Sequence, residues 1–230
     1  MALTNHQIER YSRQLIVKDF GGIAQERLLA ARVLLLGTDL TDTGVLAYLV
    51  GAGVGNIDLP ADCDPAACAG IIARMRDLNP DSTVRIRPRA ANESGETAEF
   101  DLALVLAGDD AAVDQARALY DRPAKSADNF AIVLARLDQP ARIAVIPRRP
   151  PCPRCARAGD LLGPIGARSA NAGFVASLAA LEALKHLARF APAPNPTLIE
   201  FRGYESSARK IDSASASNCA CAAILAAENS

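Results

Sequence analysis

Residues 33–55 constrain this chain more than any other stretch. An apolar run, Val33-Leu34-Leu35-Leu36, leads into Gly37, and after Gly44 an amphipathic segment closes on Gly53-Val54-Gly55. Strand, tight turn and helix in that order are the setting in which a phosphate-cradling loop operates. The spacing of G-x-G-x-x-G is kept, but its second and third positions are Asp39 and Asp42. A phosphate binds such a turn because backbone amides and the helix dipole present positive potential. Each carboxylate about 4 Å from a phosphate costs roughly 4 kcal/mol at an effective dielectric near 20. The turn therefore predicts a nucleotide-type fold and argues against the nucleotide. Asp42 has a second reading, as N-cap of the helix it precedes, worth about 1 kcal/mol.

Along the chain, strands alternate with helices. Strands are expected at Val33–Leu36, Asn56–Leu59, Val84–Arg87, Leu102–Leu106, Ala131–Ala135, Arg142–Ile146 and Thr197–Phe201, with a last one near Ala208–Ile211. Helices are expected at Gln25–Ala30, Gly44–Val50, Pro65–Leu78, Ala111–Tyr120 and Ala172–Phe190. Asp64-Pro65 is a helix start and Asn79-Pro80 a stop. This order predicts an α/β, Rossmann-like mixed sheet, mostly parallel, with helices on both faces. Strands that follow one another without a helix from Ala131 onward predict an antiparallel C-terminal extension. In the long helix, Leu178, Leu181, Leu184 and Leu187 form the expected apolar side, and Glu182, Lys185, His186 and Arg189 the polar one.

Half of the 230 residues are apolar, aromatics are 4% and Trp is absent, so the core must be aliphatic. The length suits a single domain, 1–230, divided into an N-terminal helical segment (1–30), a nucleotide-fold half (31–147) and a C-terminal half (148–230). With 25 basic against 26 acidic residues, nothing favours nucleic acid or an anionic membrane as partner. No apolar run is long enough to span a bilayer and no secretory leader is visible, so a cytoplasmic location is expected. The two histidines, His6 and His186, do not support a Ser–His–Asp or Cys–His mechanism, and no catalytic residue is assigned.

Six cysteines are present. Cys152-Pro-Arg-Cys155 is a C-x-x-C hook, and Cys219-Ala-Cys221 forms a second pair near the C-terminus. Two pairs of thiolates suit one tetrahedral zinc that ties the tail to the body. A redox C-x-x-C is the alternative, but it needs a helix N-terminus to lower the thiol pKa, and this loop is proline-rich. Reduced thiols are expected in the cytoplasm, and Cys68 reads as a small core residue.

The chain resembles the ThiF/MoeB/HesA family, relatives of ubiquitin-activating enzymes that adenylate small sulfur-carrier proteins. The resemblance rests on Arg10-Tyr11-Ser12-Arg13-Gln14-Leu15-Ile16, Asp19-Phe20-Gly21, Gln25, the turn at 33–44 and Ala52-Gly53-Val54-Gly55. Leu78-Asn79-Pro80-Asp81, Pro151-Cys152-Pro153-Arg154-Cys155 and Ala180-Leu181-Glu182-Ala183-Leu184-Lys185 extend it. It implies a structural zinc on Cys152, Cys155, Cys219 and Cys221, and a two-fold dimer whose N-terminal segment crosses toward its neighbour. It also implies ATP-Mg held by the glycine turn, by an acid at the end of the second strand, and by an Arg and a Lys on the crossover that follows. Gly37 matches the first glycine and Asp62 or Asp64 the acid. The cationic crossover is missing, and no lysine lies between Lys18 and Lys125. Asp109 lies where a metal-binding Asp is expected. Arg13 matches the arginine that reaches a partner subunit's phosphates.

The reading is a degenerate member: its nucleotide site (Gly37, Asp62) is vestigial and ATP-Mg is not expected to bind. It would serve as a binding or partner module for a ubiquitin-like sulfur-carrier protein or an active relative. An active adenylyltransferase with a rearranged site, using Arg74 or Arg76, is the alternative.

Overall fold

The computed structural model describes residues 2–37, 44–60, 65–87, 100–107, 114, 118, 131–136, 140–147, 172–190, 197–202 and 205–211. Among these, three helices precede the sheet: α1 (Asn5–Arg10), α2 (Ser12–Leu15) and α3 (Gly21–Ala30). Then follow β1 (Arg32–Gly37), α4 (Val45–Ala52), β2 (Asn56–Pro60), α5 (Pro65–Leu78), β3 (Thr83–Arg87), β4 (Leu102–Ala107), β5 (Ala131–Arg136) and β6 (Ala141–Pro147). Helix α6 (Ala172–Ala188), β7 (Thr197–Arg202) and β8 (Glu205–Lys210) complete the order.

The strands form one eight-stranded sheet in the order β3-β2-β1-β4-β5-β6-β7-β8. Strand β1 is central because its apolar run can be buried on both faces, as a parallel strand flanked by strands on each side requires. It pairs in parallel with β2 (Val33 opposite Ile57) and with β4 (Gly37 opposite Leu106). Strand order reverses between these two neighbours. That is the switch point beside which ligands bind in open α/β sheets, outside the carboxyl ends of the strands. Strand β5 runs parallel to β4, and from β5 onward each strand pairs antiparallel with the next, as the succession of strands from Ala131 predicts.

Alternation along the strands makes two cores. Val33, Leu35, Ile57, Leu59, Leu104 and Val133 face the layer that contains α3, α4 and α6, while Leu34, Leu36, Val105, Ile132 and Ile146 face the other side. Helix α6 buries Val175, Ala176, Ala179, Ala180, Ala183 and Ala188 as well as Leu187. Of the expected apolar side, Leu187 is buried and Leu178 and Leu184 pack half-buried against the core, while Leu181 is exposed. Alanines let the helix backbone lie close to the strands, and the longer side chains splay to either side. His186 is half-buried beside them, and the Lys185–Glu182 ion pair spans 2.8 Å on the outer surface.

Helix α4 begins at Val45 with Gly44 at its N-cap, and Asp42, read as a possible cap, lies outside the described residues. One further expectation changes. Cys68 is fully buried, as expected, but it is disulfide-bonded rather than a free thiol.

Candidate functional site

At the carboxyl end of β1, Gly37 has φ +116° and lies so close to β4 that a Cβ would meet the Leu106 carbonyl oxygen at 2.0 Å. Only glycine fits both the dihedral and the approach. Gly44, with φ 67°, then turns the chain into α4. Helix α4 follows this turn directly, with Gly44 at its N-cap.

The next wall of such a site is short. Strand β2 ends at Pro60 and α5 begins at Pro65, so only residues 61–64 lie between them. Arg74 and Arg76 are exposed on the far part of α5, about 13 and 16 Å along the axis from Pro65 at 1.5 Å per residue. Nearer the sheet, Arg87 is buried against Asp58 of β2, Nη1 to Oδ2 3.7 Å, and its guanidinium carbon lies 5.2 Å from the centre of the Phe100 ring. Sequence reading missed this pair. Its signal was a lone carboxylate between Ile57 and Leu59 in an otherwise apolar strand.

The opposite end of the sheet is closed by hydrogen bonds that gather the remaining motif residues. Tyr11, 1% exposed, donates its hydroxyl to Asp81 Oδ2 (3.0 Å) and accepts from Asn79 Nδ2 (3.0 Å). Asn79 Nδ2 also donates to the Val50 carbonyl at 2.7 Å, and the Asp81 amide donates to Asn79 Oδ1 at 3.1 Å. Gln7 Nε2 reaches Asp81 Oδ1 (3.4 Å), Arg10 Nε lies 3.6 Å from Oδ2, and Gln25 Nε2 donates to the Ala52 carbonyl (3.0 Å). Burial pushes the Tyr11 phenol up to about 12, reinforced by Asp81 and opposed by Asn79. Helices α1 and α2 bury no residue of their own, so this anchor fixes the N-terminal arm. Arg13 is exposed on that arm.

A third charged group lies on the extension. Glu200 accepts from Arg202 Nε at 2.6 Å and from Arg142 Nε at 2.7 Å. Arg202 first, with Arg142, holds this carboxyl below its ordinary range against the effect of burial.

Of the residues singled out by sequence, Gly37 and Arg13 are thus placed at opposite ends of the sheet. Asp39, Asp42, Asp62, Asp64 and Asp109 lie outside the described residues, as do Cys152, Cys155, Cys219 and Cys221. No group of three or more His, Cys, Asp or Glu able to hold a metal occurs among the described residues. Among them, too, no helix is long and apolar enough to cross a membrane.

No family model matches the chain. Over 58 residues it is 45% identical to the probable adenylyltransferase/sulfurtransferase MoeZ of Mycobacterium tuberculosis, covering 25% of this chain and 15% of that protein. Over 57 residues it is 42% identical to the sulfur carrier protein adenylyltransferase of Thermus thermophilus, covering 25% of this chain and 21% of that protein. In structure it is similar to E. coli MccB crystallised with ATP, with a TM-score of 0.67 and 16% identity over 88% of this chain and 70% of MccB. This chain is thus similar in sequence to ThiF/MoeB-type adenylyltransferases over about a quarter of its length, and to MccB in fold.

The matched segments span at most about a fifth of those two relatives' lengths, and the likeness to MccB speaks for the fold alone. The chain keeps two kinds of motif residue apart. Tyr11, Gln25, Asn79 and Asp81 are joined in one anchor, whereas Gly37 and Gly44 frame the turn at the other end of the strands.

Proposed function

We propose that this chain is a ThiF/MoeB-family member that has lost adenylation at its own nucleotide turn and acts as a partner or binding module. Its partner would be a ubiquitin-like sulfur-carrier protein or an active relative. The observation that carries this reading is the passage from Pro60 to Pro65, which is too short for the cationic crossover that an ATP site of this family needs. Removing one phosphate-stabilising cation costs a few kcal/mol of transition-state stabilisation, on the order of 10²–10³ in rate. Here the Arg and Lys are both missing, and Asp39 and Asp42 add negative charge to the turn. Arg87 is no substitute, because Asp58 and Phe100 already engage it.

Arg13 supports a role toward another subunit. Strand β1 spans roughly 20 Å at 3.3 Å per residue, so an arm anchored beyond its start cannot deliver Arg13 to the Gly37 turn of the same chain. A homodimer, or a heteromer with an active relative, would give Arg13 a site to serve. In the same reading Cys152, Cys155, Cys219 and Cys221 hold one structural zinc, so purified protein should carry about one zinc per chain.

The alternative is an active adenylyltransferase with a rearranged site. Calorimetric titration with ATP-Mg decides between the two. No binding is expected up to millimolar ATP, and reverting Asp39 and Asp42 to Gly is not expected to restore it. Micromolar affinity, or ATP–pyrophosphate exchange in the presence of a carrier protein, would overturn the partner-module reading.

A further inference from the structure

The start of α5 has few side chains that could hold it against the body of the fold. Ala66, Ala67, Ala69 and Gly70 carry a methyl group or less, and Ala66, Ala69 and Gly70 are exposed. The glycine also lowers helix propensity in the second turn. Apolar burial of a large side chain resumes only at Ile71. Within this stretch Cys68 stands apart, because it is 0% exposed and disulfide-bonded. A covalent bond is thus present where apolar packing is thin.

The bonded sulfur belongs to one of Cys63, Cys152, Cys155, Cys219 and Cys221, and sequence position singles out Cys63. Counted from Pro65 as the first helical residue, Asp64 falls at the N-cap, Cys63 just before it, and Cys68 at the fourth position of the helix. Side chains at these last two positions meet across a helix start, in the contact called a hydrophobic staple. A disulfide there would do covalently what two apolar side chains do by packing. The other four cysteines lie in the second half of the chain and fall into two spaced pairs of their own.

We infer that Cys63 and Cys68 form a reversible disulfide staple, so that the order of the α5 start depends on redox conditions. In the cytoplasm expected from the sequence, thiols are kept reduced, and the disulfides that do form there are mostly transient or redox-sensing. Closure is exchange with a low-molecular-weight disulfide such as glutathione disulfide. The Cys63 thiolate attacks one sulfur of that disulfide and expels a thiolate. The Cys68 thiol, giving up its proton, then attacks the Cys63 sulfur and displaces the second. Two protein thiols are oxidised to one S–S bond, and one small disulfide is reduced to two thiols. Burial shields Cys68, so an incoming thiol must reopen the bond at its partner's sulfur. The staple ties α5 to the short passage from Pro60 to Pro65 beside the Gly37 turn. It does not depend on whether ATP binds at that turn, and ATP titration leaves it untouched.

Thiol trapping and hydrogen exchange on the full chain test it. After alkylation in denaturant, the peptide spanning Cys63 and Cys68 should carry no alkyl group when the chain has met glutathione disulfide. It should carry one on each cysteine when the chain has met reduced glutathione. A bond from Cys68 to any other cysteine, or one that stays closed in reduced glutathione alone, would overturn the inference. The amides of Ala69, Gly70, Ile71 and Ile72 should exchange roughly tenfold faster in the reduced chain than in the oxidised one. Those of β1 and β4 should not change, which shows that the fold is intact. Cys63→Ser should give the fast rate at the start of α5 under both conditions. Equal rates in the oxidised and reduced wild type, or slow exchange in the oxidised variant, would also overturn it.

Discussion

The two ends of the parallel strands are built in opposite ways. Where the strands begin, polar side chains are buried and paired: Tyr11, Asn79, Asp81 and Ser82 share acceptors, and Asp101 takes the Arg32 amide at 2.8 Å. Gly55 is packed there so tightly that a Cβ would meet the Leu29 carbonyl oxygen at 1.8 Å. Where the strands end, Gly37 and Gly44, both at positive φ, shape the turn that leads into α4. One end spends its polar groups on holding the arm and helices together, and the other is shaped by glycine. The contrast separates two jobs of a family motif. Residues that fasten the fold depend on one another for hydrogen bonds, so losing one leaves others unsatisfied. Residues that serve a ligand have partners only when it is bound, and they can be replaced at little cost to folding.

That contrast can be broken by mutation. The largest effect is expected for Asn79→Ala, which removes the donor to the Val50 carbonyl and to the Tyr11 hydroxyl and the acceptor for the Asp81 amide. We expect a loss of about 2–4 kcal/mol in urea unfolding. A loss below 1 kcal/mol would mean that the anchor is ornamental and the contrast false.

Tyr11→Phe should cost less, about 1–2 kcal/mol, because the ring stays and only the hydroxyl goes. It carries a second signature. A phenol whose folded pKa is raised from 10.0 to about 12 contributes stability that is complete below pH 10 and is lost as pH rises toward 12. Wild type should therefore lose more stability than the Phe variant across that window. Parallel pH profiles would show that the Tyr11 proton is not held by the anchor.

The smallest effect is expected for Arg13→Ala. Exposed on the arm, Arg13 should change folding stability by less than about 0.5 kcal/mol. If the partner-module reading holds, the same variant lowers the turnover of an active relative mixed with it. Loss of stability without loss of stimulation would return Arg13 to the fastening set.

Most of the fold was legible because strand and helix periods are local properties. The buried strands β1, β2, β4 and β5 stand out as short apolar runs, and Asp64-Pro65 and Asn79-Pro80 bracket α5 as expected. Strand β8 was legible only in part: Ala208–Ile211 was expected and Glu205–Lys210 is found, because a strand that buries nothing has no alternation to mark it. The anchored face of α6 was legible only in part for a related reason. Leucine spacing marks a helix as amphipathic, but it does not say whether the leucines or the alanines beside them meet the sheet. Of the site, sequence located Gly37 and the arm motif. It missed that Tyr11 is buried within its own chain, and that Asp58 is matched to Arg87. Both depend on residues about 30 to 70 positions apart meeting in space, which no local pattern encodes.

The alanine face of α6 has a consequence for how this protein can change over evolutionary time. A helix seated on leucines tolerates trimming and repacking, because flexible side chains can move to fill what is lost. A helix seated on methyl groups has no such slack. A larger residue at Ala176, Ala179, Ala180 or Ala183 would lift the whole rod from β4, β5, β6 and α4 together. Drift in this layer is thus steered toward Gly and Ser at those four positions, while exposed Leu181 is the leucine most open to exchange.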